Sequence, residues 1–342
     1  MPTPVEQYNY DLPKEFIAQT PVEPRDHSKM MRLDRKTGAI EHYHFFDLST
    51  FLKPGDVLVF NNTKVFKARL RAKIADYDVE VFLLRGEDID AGSRWQILAK
   101  PGKWLPVGSE FSIGEGFDSV IGEIVDKHPD GVGVAFFPRS VSEMIELANT
   151  IGEVPLPPYI KSPATLDEYQ TAYAAHTGSV AAPTAGFHFT HELLTRLKEH
   201  GVQMEYVTLH VGMGTFQPMK TETLEDHKMH AEFAAIDSET ATRLAQAKRD
   251  GRRIIAVGTT SVRTLESLPE MGGFAGEVNL FITPGFQFKY IDGMITNFHL
   301  PKSTLLVLVS AFAGHEHIMH AYEEAKKNKY RFYSFGDGML IL

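Results

Sequence analysis

Between Pro54 and Phe137 the chain is a succession of short β-type runs: Asp56–Phe60, Val65–Ile74, Val79–Arg85, Trp95–Ala99, Glu110–Ile113, Val120–Val125 and Val132–Phe137. Turn residues separate them, and strands at that spacing predict a small barrel or sandwich. The pattern then changes. Ser140 and Glu143 form a capping box ahead of Met144, Ile145, Leu147 and Ala148 at helical spacing, so a helix closes the β-rich region.

Beyond Pro155, Pro157 and Pro158, apolar strands at Tyr206–Val211, Ile254–Val257 and Asn279–Ile282 alternate with helices near 191–200, 238–250 and 303–327. That alternation predicts an α/β layered domain. Thr190 serves as N-cap and Gly201 as stop for the first of these helices, whose Leu193, Leu194 and Leu197 share one face; the second runs from Asp237 to Gly251 by the same logic. The apolar run Leu305 to Ala313, closed by Gly314, reads as a buried helix. The first ~50 residues lack the dense strand spacing of the β-rich region and group with the later α/β part. The expected architecture is therefore a layered α/β domain (residues 1–53 and 139–342) carrying an inserted small β-barrel domain (54–138).

Length agrees with this division, because 342 residues exceed what one hydrophobic core usually organises. Hydrophobic residues at 43% and charged residues at 23% place the chain among ordinary globular proteins. No stretch approaches the roughly 18 apolar residues of a membrane span, and Met1 to Leu12 lacks the features of a secretion signal, so a cytoplasmic protein without membrane contact is expected. The absence of cysteine rules out disulfides, cysteine-ligated zinc, iron–sulfur clusters and a thiolate nucleophile. A net charge of −9 argues against broad nonspecific nucleic-acid binding and leaves room for a local basic groove.

Several loops hold more small, hydroxyl and histidine residues than turns require. In Gly178–Thr190, the small residues Ala181, Ala182, Thr184, Ala185 and Gly186 permit a ligand to approach the backbone, just before a helix N-terminus that favours an anion. A tightly packed strand-to-helix connection explains the same composition. His210 stands near the end of a strand and before Gly212 and Gly214, where ligands of α/β sheets collect; a hydrogen-bonded core histidine is the alternative. In Ile254–Arg263 a strand runs into Gly258, Thr259, Thr260 and Ser261, a turn suited to a carboxylate, phosphate or ribose, and then a helix with Arg263 and Glu266. A surface Arg263–Glu266 pair is equally compatible.

His227, His230 and Glu232 lie close together, but their spacing matches no standard metal motif, so polar site roles are favoured. Asn297 and His299 precede a helix capped by Ser303, a role that needs neither of them. The run 330–335 alternates polar and apolar residues and reads as a half-buried strand ending at Gly336-Asp337-Gly338. Finally, Lys64, Lys67, Arg69, Arg71 and Lys73 form a basic stretch; alternation places the last four on one face, either as a phosphate track or as a solvated strand.

Taken in order, these segments closely resemble the S-adenosylmethionine:tRNA ribosyltransferase-isomerase family of queuosine biosynthesis. The resemblance rests on Tyr10-Asp-Leu-Pro, Ile17-Ala-Gln, Asn61-Asn-Thr-Lys-Val, Pro155-Leu-Pro-Pro-Tyr-Ile, Ser179-Val-Ala-Ala-Pro-Thr-Ala-Gly, Leu209-His-Val-Gly, Met229-His-Ala-Glu, Val257-Gly-Thr-Thr-Ser-Val-Arg, Thr296-Asn-Phe-His-Leu-Pro and Tyr330-Arg-Phe. It spans essentially the whole chain, with Asp76-Tyr77-Asp78 standing where family members usually have Gly-Gly-Lys.

The resemblance implies an α/β domain with a β-barrel insertion. It also implies transfer of the ribosyl unit of S-adenosylmethionine, as cosubstrate, to the aminomethyl group of a 7-deazaguanine at the tRNA wobble position. Adenine and methionine leave, and the transferred unit rearranges to an epoxycyclopentanediol. No metal or redox cofactor is implied, and a monomer is expected.

Such chemistry needs a base for the proton beside the sulfonium, a neutral amine and a donor for the departing adenine. His210 and His230 are the acid/base candidates, with Asp337 or Glu232 to orient one of them or to hold the aminomethyl cation. Arg263 with Thr259, Thr260 and Ser261 is expected to hold the methionine carboxylate. Gly258, Ala182, Pro183, Thr184, Gly186 and His188, with Asn297 and His299, are expected to complete the cosubstrate site.

Overall fold

The computed structural model describes residues 2–75, 77–102, 105–128, 131–212 and 218–342. Asp76, Lys103 and the glycine-rich continuation after Gly212, including Gly214, lie outside the described residues. In chain order the strands and helices begin with β1 (Lys29–Leu33), β2 (Ile40–His44), β3 (Val57–Asn61) and β4 (Thr63–Val65). Six further strands come after them: β5 (Arg69–Ile74), β6 (Tyr77–Ile89), β7 (Gly92–Lys100), β8 (Glu110–Ile113), β9 (Val120–Lys127) and β10 (Gly133–Phe137). Next come α1 (Val141–Ile151), β11 (His176–Ser179), α2 (His191–Glu199), β12 (Gln203–Leu209), β13 (Glu232–Ile236) and α3 (Ser238–Arg249). The remainder is β14 (Ile254–Val257), α4 (Thr259–Ser267), β15 (Phe274–Val278), β16 (Gly293–Asn297), α5 (Thr304–Ala313), α6 (His315–Lys327) and β17 (Gly338–Ile341).

Among the described residues these strands form a nine-stranded sheet ordered β15-β13-β12-β3-β14-β16-β17-β1-β2, a closed barrel β10-β7-β6-β5-β8-β9, and the pair β11-β4. The expected α/β architecture with a β-barrel is thus present. At the centre of the sheet β12, β3, β14 and β16 run parallel. All residues of β3, β14 and β16 are buried, as parallel strands covered on both faces should be. Alternation sorts their side chains. Val57, Val59 and Ala256 join Leu244 of α3 and Val262 and Leu265 of α4, whereas Leu58, Phe60 and Ile255 pack against Leu193 and Leu197 of α2.

Several sequence expectations change. Val57–Asn61 does not open the barrel: its five residues are wholly apolar apart from Asn61, and it lies between β12 and β14 in the large sheet. The run expected over 65–74 is broken, because β4 pairs with β11 while β5 pairs with β6 and β8. Barrel strands therefore span Arg69–Phe137, inside the expected insert of 54–138. Their core includes Leu70, Val81, Trp95, Ile97, Phe111 and Phe137, against which Met144 and Leu147 of α1 pack.

The strand expected at Asn279–Ile282 is instead Phe274–Val278, an edge strand paired only with β13. The helix expected over 303–327 is two helices meeting at Gly314, whose φ of 91° ends the first. Residues 330–335 are not a strand; Tyr333 has φ 71°, and only Phe332 makes a bridge, to Ile17. Consequently Gly336-Asp337-Gly338 stands where β17 begins, not where a strand ends. Among the described residues no helix is long and apolar enough to cross a membrane.

Candidate functional site

The strand directions gather the candidate residues. The four parallel strands finish at Leu209, Asn61, Val257 and Asn297, on the edge where open α/β sheets bind ligands. Antiparallel β17 starts at that same edge, with Gly338 opposite Asn297, and β13 starts there at Glu232. His210, Thr259, His299, Asp337 and Glu232 thus share one rim because each stands at or beside a strand end.

Along this rim lies a partly open cavity with about 610 Å³ of empty space, counting the part open to solvent. Eight of the twelve residues expected to bind cosubstrate line it: Ala182, Pro183, Thr184, Gly258, Thr259, Thr260, Asn297 and His299. Tyr159, Thr296, Tyr333 and Ser334 also line it and were not legible as site residues. Tyr159 donates or accepts a 2.8 Å hydrogen bond with Ser334, and its ring lies 4.8 Å from that of Tyr333. Only the position of Tyr159 within the proline cluster hinted at it.

The other four expected residues do not line the cavity. Gly186 is needed for packing: a Cβ there would lie 1.9 Å from the Tyr173 hydroxyl oxygen. Ser261 donates its hydroxyl to the Val257 carbonyl at 2.8 Å. Arg263 is buried and ion-paired with Glu232, while its Nε donates to the Leu280 carbonyl at 3.3 Å. It therefore makes no Arg263–Glu266 surface pair; Glu266 is itself buried and accepts the backbone N–H groups of Lys289, Tyr290 and Ile291. His188 sits behind the cavity wall, stacked on Phe45 at 3.9 Å.

His188 nevertheless reaches the cavity through Asn297. Burial, with smaller contributions from Arg331 and Arg25, pushes its pKa down to about 3, so the imidazole is neutral at pH 7. Ser28 donates its hydroxyl to the Arg25 carbonyl at 2.8 Å and stands 2.7 Å from His188 Nδ1, so Nδ1–H donates to Ser28. Nε2 is left as an acceptor for the Asn297 amide at 3.2 Å. The Asn297 oxygen then accepts from Thr184 Oγ1 at 3.2 Å.

His299, also buried and with its pKa pushed down to about 3 by desolvation, has Nε2 2.8 Å from Thr296 Oγ1. His210 lies immediately before Val211, which lines the cavity. Its Nδ1 is 2.7 Å from Thr63 Oγ1, and burial, then His176 and Arg85, lower its pKa to about 4. A Cβ on Gly178 would come within 2.7 Å of His210 Nε2, which explains the glycine. His230 is exposed in the loop before β13.

Among the described residues both carboxylates engage backbone N–H groups and arginines rather than histidines. Asp337 accepts backbone N–H groups from Lys29 at 2.9 Å and Arg331 at 2.7 Å, tying β1 to the turn before β17. Glu232 accepts from the Gly212 N–H at 2.9 Å and pairs with Arg263. Among the described residues no three His, Asp or Glu side chains are grouped to hold a metal ion.

The basic stretch is partly neutralised. Arg69 pairs with Glu80 at 3.1 Å and Arg71 with Glu153 at 2.9 Å, whereas Lys73, opposite Asp78 in the register, forms no salt bridge among the described residues. Lys64 and Lys73 are exposed and Lys67 half-buried, with Lys67 in the break between β4 and β5, so strand alternation does not set its face.

The chain is 48% identical over 342 residues to the S-adenosylmethionine:tRNA ribosyltransferase-isomerase of Thermoanaerobacter sp., covering 98% of this chain and 99% of that protein. It is 50% identical over 347 residues to the protein of the same name from Heliobacterium modesticaldum, covering 98% of each. A crystal structure of S-adenosylmethionine tRNA ribosyltransferase from Thermotoga maritima aligns with a TM-score of 0.57 and 39% identity, over 98% of this chain and 100% of that one. With the model of the queuosine biosynthesis protein family matching residues 5–341, the chain belongs to that family.

Proposed function

We propose that the chain transfers and isomerises the ribosyl moiety of S-adenosylmethionine onto the 7-aminomethyl-7-deazaguanine base at the tRNA wobble position, giving epoxyqueuosine-tRNA and releasing adenine and methionine. Family membership and the names of its relatives support the activity. The observation that carries the choice of site is the cavity at the carboxyl edge of the parallel strands, lined by six separated stretches of chain. Tyr159 and Tyr333 offer apolar ring faces to the purine.

His299, neutral and inside the cavity, is placed to hydrogen-bond the departing adenine. His210 is the leading base for the proton beside the sulfonium: it is neutral at pH 7, anchored by Thr63 and adjacent to the cavity wall. His230 is the second acid/base candidate, from the exposed loop. The test is adenine release in a single turnover. It should require both S-adenosylmethionine and substrate tRNA, and His210→Ala should lower it by roughly 10²–10⁴-fold. Release at the parent rate would remove His210 from the mechanism, and release without tRNA would refute the transfer.

For tRNA, the phosphate track of Lys64, Lys67, Arg69, Arg71 and Lys73 is retained with unequal weights. Lys64, Lys67 and Lys73 supply the less compensated charge. The double variant Lys64→Glu/Lys73→Glu is expected to weaken tRNA binding and to flatten the slope of log affinity against log salt by about 0.7–0.9 per lost contact. An unchanged slope and affinity would place the tRNA elsewhere.

A further inference from the structure

Gly258, at φ 86°, turns β14 directly into α4, and no side chain caps that helix. The first N–H groups of a helix lack intrahelical acceptors, and together with the helix dipole they favour an anion. A second observation at the same point is independent of the helix. Thr260 is only 7% exposed and lines the cavity, and its Oγ1, shielded from solvent, has no hydrogen-bond partner among the described residues. A buried hydroxyl left unmet costs about 1–3 kcal/mol, so a bound acceptor would satisfy it. The Thr260 carbonyl is already engaged by Thr264 Oγ1 at 3.0 Å, leaving its hydroxyl and its first-turn N–H as donors for a ligand.

The positive φ of Gly258 favours glycine, and its Cβ position lies beside the hydroxyl, 3.5 Å from Thr260 Oγ1 and 3.6 Å from the Ala185 Cβ. The charge of the surroundings narrows the ligand. Among the described residues no lysine or arginine lines the cavity, and Arg263, two positions after Ser261, is bound to Glu232. Helix N–H groups and a hydroxyl without a cationic side chain suit a monoanionic carboxylate better than a phosphate dianion, which usually recruits Arg or Lys. They also suit a ligand whose remaining charges are positive. The sulfonium and α-ammonium of S-adenosylmethionine would be repelled by an arginine here.

We infer that the amino end of α4, with Thr260 Oγ1, is the subsite that holds the carboxylate of the cosubstrate's amino-acid portion, in place of Arg263. This rests on the reading of the cavity as the S-adenosylmethionine site. Calorimetric titration of the full chain with S-adenosylmethionine and with its decarboxylated analogue separates the two readings. The parent should bind the analogue more weakly. Thr260→Val should weaken S-adenosylmethionine by about 10–100-fold, as for loss of a hydrogen bond to a charged group, while leaving the analogue's affinity unchanged. Thr260→Ser should keep parent affinity, and circular dichroism melting would verify that both variants fold.

Equal affinity of the parent for both ligands, or an equal loss of both in Thr260→Val, would overturn the carboxylate assignment while leaving the cavity as the cosubstrate site. Weakened tRNA binding with unchanged S-adenosylmethionine binding in Thr260→Val would overturn it in favour of a phosphate. A parent that binds neither small ligand would overturn the cosubstrate reading itself.

Discussion

Glu232→Ala is expected to lower the unfolding free energy by about 3–5 kcal/mol, the usual cost of leaving one partner of a buried ion pair alone. Glu232 and Arg263 are 7% and 3% exposed. Among the described residues the guanidinium has one buried nitrogen, Nη2, without a partner, and besides Glu232 it meets only the Leu280 carbonyl. Glu232 also holds the Gly212 N–H, and its loss would free the chain just beyond Val211 at the cavity wall. Urea unfolding checks this. The double variant Glu232→Leu/Arg263→Met should recover most of the loss, because apolar replacement of a buried pair is often neutral or better. A Glu232→Ala protein that unfolds with the parent yet no longer releases adenine would make Glu232 a catalytic group.

Features set by local chemistry were legible in the sequence. Ser140 with Glu143, Thr190, Asp237 and Ser303 cap α1, α2, α3 and α5 as their residue types and positions indicate. Strand-end placement of His210 and Gly258 was legible for the same reason. The errors arise where tertiary context competes with local pattern. Leu280, Phe281 and Ile282 look like a strand, but there the Leu280 carbonyl accepts from Arg263, while the half-exposed Phe274–Val278 takes the edge of the sheet. Gly314 closes the apolar run Leu305–Ala313 in the sequence, but helical periodicity resumes directly after it, so the span 303–327 reads as one helical region that the φ of 91° at Gly314 divides in two. The partners of the site residues are remote in sequence: Ser28 from His188, Thr63 from His210 and Glu232 from Arg263. No spacing rule reaches such pairs, which is why Arg263 reads as a ligand clamp and proves to be an ion-pair partner.

The Ser28–His188 pair also bears on activity, through Asn297. Asn297→Asp is expected to reduce adenine release by about 10²-fold or more. Asn297 is 4% exposed, and its Nδ2 faces His188 Nε2 at 3.2 Å and the Asp337 carbonyl at 3.4 Å, both acceptors. Aspartate would present a charged oxygen to both. Relief requires His188 either to take a proton, against the burial that holds its pKa near 3, or to switch tautomer and lose the Ser28 bond. Leaving a buried polar group unmet costs about 1–3 kcal/mol, and more for a charge; about 2.7 kcal/mol corresponds to the hundredfold loss. Lower pH supplies the missing proton, either to the new carboxyl or to His188, and restores a donor between them. The deficit of Asn297→Asp relative to the parent should therefore shrink as pH falls from 8 to 6 in single-turnover adenine release. A deficit that does not change over that range, or parent-like activity at pH 8, would show that the Ser28–His188–Asn297 chain does not set the orientation of the amide at the cavity wall.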